Sequence, residues 1–194
     1  MTSPLSATSA IIVVTRERIE ELLRARDPLA AARAAGVVPG SPVSLAREGG
    51  EDRLADGDVE GSLEAHRAAH RARRASEAAV AYGAGHDPAA VAERIYALAA
   101  LARETGLLRT VCPVPADGTP EQPGSWGVED LTVIAVCRLA MPDSVAVRPH
   151  WRRLGAAACQ IAIAFGASEW VIPADDTSDP DRLAAGVGAG VRLA

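Results

Sequence analysis

Short apolar runs alternate with stretches of helical spacing along this chain, and glycine or proline marks most of the junctions. "AIIVV" (10–14) reads as a strand, and the following "RERIEELLRARD" sets Ile19, Leu22 and Leu23 on one helical face. Asp27-Pro28 caps a further turn or two that Gly36 closes. "VVPG" (37–40) reads as a brief strand, and the polar, glycine-rich residues 41–60 read as a long loop. A helix over 62–74 carries Leu63, His66, His70 and Arg73 along one face, and "EAAVAY" (77–82) is a strand. Asp87-Pro88 opens a strong helix that runs to Gly106. A strand over 107–114, a loop over 115–127 and a helix over 128–141 follow. The series ends with a strand over 145–151, a helix closed by Gly166, an extended piece over 169–174 and a frayed helix from Asp179-Pro180.

Strands alternating with 12–17-residue helices imply β/α crossovers and a mainly parallel sheet. About five such units are visible in one domain, over residues 10–175, with a helical tail over 176–194. An eight-unit barrel takes about 250 residues, so the pattern fits an open doubly wound sheet or part of a (β/α) TIM-like barrel.

Charge and composition then narrow the function. A net charge of −5 and 3% aromatic residues argue against nucleic acid as a partner. No run approaches the roughly 18 apolar residues of a membrane helix, and the first residues lack a basic leader, so a cytoplasmic protein is expected. All 20 basic residues are arginine; without lysine there is no Schiff base and no P-loop. Cys112, Cys137 and Cys159 are spaced too widely for a disulfide framework or a metal knuckle. Cys137 and Cys159 sit in apolar helical patterns and read as buried, which leaves Cys112 as the cysteine nearest solvent.

In β/α folds, ligands gather where strands end. Reading those ends gives Arg16, Ser41, Tyr82 with His86, Cys112, and Arg148 with His150 and Trp151, of which Ser41, Tyr82, His86, Cys112, Arg148, His150 and Trp151 are the candidate ligand-binding residues. An arginine and a histidine on either side of Pro149 suit a carboxylate or phosphate, and Trp151 offers an apolar wall. His66 and His70, at i and i+4, have zinc-like spacing but no third ligand nearby, so they read as a packed or surface pair on an outer helix. Neither "GVGAGVR" (186–192) nor "PGSWG" (123–127) has the flanking strand that its motif demands, and Asp175-Asp176 reads as a capping loop. No metal and no cofactor is expected.

Several of these segments, in this order, resemble the second half of the radical-SAM enzymes of the futalosine route to menaquinone, the aminofutalosine synthase and dehypoxanthine futalosine cyclase family. Matching pieces are Ala35-Gly36, Pro39-Gly40, Leu63-Glu64, His66-Arg67, Ala69-His70, Tyr82-Gly83, Pro88 and Glu104-Thr105-Gly106. Arg138, Leu139, Trp151, Gly155, Gln160 and Phe165-Gly166-Ala167 match a later segment, so the likeness spans roughly residues 30–170. The resemblance implies a partial barrel. It does not imply radical chemistry, because the CxxxCxxC thiolates that hold the iron–sulfur cluster are absent. The family's histidine after Tyr-Gly is Ala84 here, and Pro42 stands in its glycine turn. The expectation is therefore a cluster-less relative that binds a small molecule, futalosine-like by the resemblance, or serves as an accessory subunit. An Arg/His-assisted lyase or hydrolase on the same scaffold is the alternative, and a structural remnant without a ligand is a third reading. A partial barrel leaves sheet edges open, so a homo-oligomer or a partner protein is expected to cover them.

Overall fold

The computed structural model describes residues 14–47, 61–118, 124, 125 and 127–193. The first helix, α1 (Arg16–Ala25), begins where the Thr15 hydroxyl accepts from the Arg18 N–H, and it buries Ile19, Leu22 and Leu23. Asp27 caps α2 (Pro28–Ala34) with proline in its first turn. The chain then turns at Pro39-Gly40 and enters β1 (Val43–Arg47). After α3 (Leu63–Arg71) come β2 (Ser76–Tyr82), α4 (Pro88–Thr105), β3 (Leu108–Pro115), α5 (Val128–Ala140) and β4 (Ala146–Val147). The last third holds α6 (Trp151–Ala162), a 3₁₀ turn (Ile163–Phe165), β5 (Glu169–Ile172), α7 (Pro180–Ala185) and β6 (Val191–Leu193).

Among the described residues the strands form two parallel three-stranded sheets, ordered β2-β3-β4 and β5-β1-β6. Ser168 stitches them together. Its N–H donates to the Val147 carbonyl (2.9 Å), and its hydroxyl oxygen accepts from the Val147 N–H (3.1 Å). The strand ladder therefore passes from β4 into the residues that open β5. The first described strand, β1, lies beyond β5 rather than beside β2.

Strand alternation separates two faces. Ala78, Val80 and Tyr82 of β2 join Val111 of β3 and Val147 of β4 in the main core beneath α4 and α5. Period two puts Glu77, Ala79 and Ala81 on the opposite face. A second, smaller core packs Val43, Leu45, Trp170 and Ile172 against Trp151 and Cys159 of α6. α1 packs on α4 and α5, and α2 packs on α5, which explains why "VEDLTVIAVCRLA" lacks a polar side. A helix apolar all round is one covered all round, and here the sheet covers one flank of α5 while α1 and α2 cover the other.

Two of the matched glycines have conformational reasons. Gly155 breaks α6 at φ 78° and ψ 163°, a region open essentially to glycine alone. At Gly166, φ is 99° and an added Cβ would come within 2.7 Å of the Arg138 side chain. That arginine is fixed, because its guanidinium donates to the carbonyls of Met141, Pro142 and Val145 (2.8–2.9 Å) and ties the end of α5 to the entry of β4.

The structure corrects several expectations. Residues 37–40 form no strand, and the strand lies instead at 43–47, inside the stretch read as loop. The C-terminal tail is not wholly helical, since β6 adds to the edge of β1. β4 is two residues long, because the backbone turns into α6 at Trp151 instead of continuing as strand to 151. Of the strand expected at 10–14, only Val14 lies within the described residues; it is buried in the main core but is not in a strand. No described helix is long and apolar enough to cross a membrane.

Candidate functional site

Because the strands run parallel, β2, β3, β4 and β5 all end on the same side, and the chain leaves them there through Gly83, Ala116, Arg148 and Pro173. The residues expected to meet a ligand are distributed around that end unevenly.

Arg148 is fully buried, and its guanidinium is held by two carboxylates. Nη2 donates to Glu77 of β2 (2.5 Å), and Nη1 lies 3.6 Å from Glu169 of β5. Glu169 also accepts from the Thr110 hydroxyl of β3 (3.1 Å). Burial on its own would lower the Arg148 guanidinium, but Cys112, Glu77 and Glu169 outweigh it and hold the group above its usual value. Arg148 is thus a staple across four strands, not a ligand hook. Cys112 packs beside it, buried, where it was expected near solvent; the alternation of β3 turns it inward from the strand end.

Trp151 is buried too. It packs edge-on to Trp170 with ring centroids 5.6 Å apart, and its indole N–H donates to Asp176 (2.7 Å). His150 is buried at the N-cap of α6, and its side chain makes no capping bond. Ser41 lies at the N-terminal end of β1, opposite the other candidates, with its hydroxyl donated to the Val38 carbonyl (2.8 Å). That misplacement follows from the shift of the strand to 43–47. Arg16 sits on α1 among Glu17, Glu20 and Glu93.

Tyr82 brings in a residue that sequence reasoning missed. Its hydroxyl donates to Asp130 Oδ1 (2.7 Å), and the Ser125 hydroxyl donates to the same oxygen. Burial first, then the Asp130 charge, push the Tyr82 phenol far above its usual value, so it stays a donor. Asp130 is itself buried in the first turn of α5, where the helix dipole favours a carboxylate. Its second oxygen has no partner among the described residues, and Asp130 lines a cleft of about 600 Å³. Asp117, Ser125, Arg152 and Arg153 complete the polar wall of this cleft, and Leu154 and Ala158 supply its apolar side. Arg153 is half-exposed there, donating to Asp117 (2.5 Å) and to the Pro115 carbonyl (3.1 Å). The signal for Asp130 was present as a lone acid pair opening an otherwise apolar helix. The signal for Arg152 and Arg153 was their place just after a strand end.

A second cavity, about 410 Å³, opens at the edge of β2 that pairs with no other strand among the described residues, and it is lined by His86 and by Arg94 of α4. His86 is exposed, and Arg94 was not anticipated from sequence. A third hollow of about 300 Å³ lies between Trp151, Arg152, Gly155 and Asp175-Asp176. Asp175 is paired with Arg152 (3.1 Å), which holds its carboxyl below the usual range.

His66 and His70 are the only buried residues of α3, and they meet at one hydroxyl. His66 Nδ1 lies 3.0 Å and His70 Nε2 2.8 Å from Ser76 Oγ, and Thr105 Oγ1 lies 2.8 Å from His70 Nδ1. Thr105 gives its proton to the Leu101 carbonyl, so it must accept from His70. His70 Nε2 then accepts from Ser76, and His66 Nδ1 donates to it. Every facing nitrogen is thereby committed. Among the described residues no group of three or more histidine, cysteine or acidic side chains is placed to hold a metal.

No model of a known protein family matches the chain, and no curated protein sequence matches it either.

Proposed function

We propose that this protein is a cytoplasmic, cluster-less relative of the second half of the futalosine-route radical-SAM enzymes, and that it binds a small polar molecule without transforming it. The observation that carries the reading is the 600 Å³ cleft at the strand ends, where the buried Asp130 carboxylate, one oxygen of which has no partner among the described residues, shares the wall with Arg152 and Arg153. Clefts of that size at the C-terminal ends of parallel strands are where β/α folds bind ligands. The four consecutive strands β2 to β5, joined through Ser168 and covered by α4, α5 and α6, have the order of one arc of a barrel, which supports the partial-barrel reading. Cys112, Cys137 and Cys159 are buried on β3, α5 and α6. The Arg/His-assisted enzyme finds little support, since the Arg148 guanidinium is engaged by Glu77 and Glu169.

Thermal unfolding in the presence of aminofutalosine, dehypoxanthine futalosine or S-adenosylmethionine tests the reading. Binding to the native state raises stability by about 2.7 kcal/mol at a hundredfold excess over the dissociation constant. A futalosine nucleoside that raises the midpoint in the wild type and not in Arg153→Ala supports the proposal; no shift with any of the three compounds removes it. The edge of β2, unpaired among the described residues, carries the companion expectation of a homodimer or partner protein, and a concentration-independent monomer in light scattering would end that part of the reading.

A further inference from the structure

We propose that the cavity at the β2 edge is a separate binding site for a small aliphatic monocarboxylate, anchored by Arg94. Each arginine facing the other strand-end cleft has a carboxylate beside it, and Arg94 does not. Its Nε donates to the Ala79 carbonyl (3.3 Å) and its Nη2 to the Gly61 carbonyl (2.7 Å). No carboxylate pairs with it among the described residues. Two carbonyls orient the guanidinium and leave its positive charge in place, and its Nη1 donors have no partner among the described residues. The charge is felt locally: after burial, Arg94 is the next largest influence holding the His66 imidazole below its usual value.

The lining specifies the ligand. Ala79 and Ala81 of β2 and Val114 of β3 give an apolar floor, with His86 just before the Asp87 cap and Ala90 and Arg94 one turn apart on α4. Ser62 accepts from the Ala65 N–H, so its own hydroxyl proton is available to an anion. A single cation with no carboxylate beside it among the described residues matches a single negative charge, and a guanidinium binds a carboxylate with two parallel bonds. A phosphate dianion would leave charge unmatched. A floor of alanine and valine without an aromatic ring favours an aliphatic chain over a stacked one. At about 410 Å³ the space suits a small molecule.

The probe is hexanoate, titrated against the full chain by calorimetry and by NMR of the His86 ring protons and the Arg94 Nε–H. The wild type should bind it saturably, with both signals moving together, and an equal concentration of inorganic phosphate should not displace it. Arg94→Met should weaken binding at least tenfold. Since Arg94 also holds the β2 edge, Ala90→Glu is the second variant: Ala90 is exposed on α4, and a carboxylate there should repel the ligand at least tenfold without disturbing the fold. Ala90→Glu should leave any response of the Arg153 cleft to a nucleoside unchanged, so the two sites stand or fall separately. Failure to saturate, equal affinity in Ala90→Glu, or displacement by phosphate would each overturn the assignment.

Discussion

Two arginines on either side of β2 show how differently one side chain is used in this fold. Arg148 has no exposed surface and lies between Glu77 and Glu169, so its charge is spent on holding strands together. Arg94 is half-buried and, among the described residues, bonded only to carbonyls, so its charge remains available at the rim of a cavity. Taking an ion out of water costs several kcal/mol, and only close opposite charges offset that cost. Arg148 meets that condition with two carboxylates. Arg94 stays at the surface instead, keeping part of its hydration. The partner, rather than the depth of burial alone, separates a structural arginine from a binding one.

The largest effect expected from this contrast is on folding. Arg148→Met leaves the buried Glu169 and the largely buried Glu77 carboxylates without their shared cation, and should cost about 3–5 kcal/mol in urea unfolding. Arg94→Met strands no ion and removes two bonds to carbonyls, so its loss should stay near 1–2 kcal/mol. Equal losses would erase the distinction. Next in size is Tyr82→Phe, which removes a donor from the buried Asp130 carboxylate and should cost about 1.5–3 kcal/mol by the same assay.

Acid should act on α3. Burial holds both His66 and His70 below the ordinary imidazole value of 6.5, so the unfolded chain binds the protons more readily than the folded one. Their contribution is complete above pH 6.5 and falls away as the pH drops below it. Unfolding midpoints measured from pH 7.5 to 5 should show a decline that is reduced in a His66→Gln, His70→Gln double variant; an unchanged slope would contradict the assignment. At the small end, Arg71→Ala breaks only an exposed pair with Glu64 and should leave stability unaltered within error.

Much of the helical framework was readable because its signals are local. Asp27-Pro28 and Asp87-Pro88 cap α2 and α4 as their dipeptides promise, and Gly106 takes the left-handed position that ends α4. β1 was not readable, since "VSLAR" offers just Val43 and Leu45 to a core and is flanked by serine, proline and glycine. It becomes a strand because β5 and β6 pair with it, and those partners lie more than a hundred residues away. The site divides along the same line. His86 was legible as a strand-end residue, and it does line a cavity. The role of Arg148 was not legible, because Glu77 is 71 residues distant and nothing local marks it. Asp130 and Arg94 each sit in the sequence directly after a glutamate in a largely apolar helix, a pattern that also fits ordinary helix surface until the packing of α1, α4 and α5 is known.

The measurement that reaches the centre of the account is thermal unfolding of the wild type, Arg153→Ala and Arg148→Met, each with and without a futalosine nucleoside in excess. The account predicts that the ligand raises the wild-type midpoint and loses that effect in Arg153→Ala, whose ligand-free midpoint stays close to wild type. Arg148→Met should start from a much lower midpoint and still gain from the ligand. A ligand shift that survives Arg153→Ala but vanishes in a folded Arg148→Met would contradict it, making the buried staple the binding group and the strand-end cleft incidental.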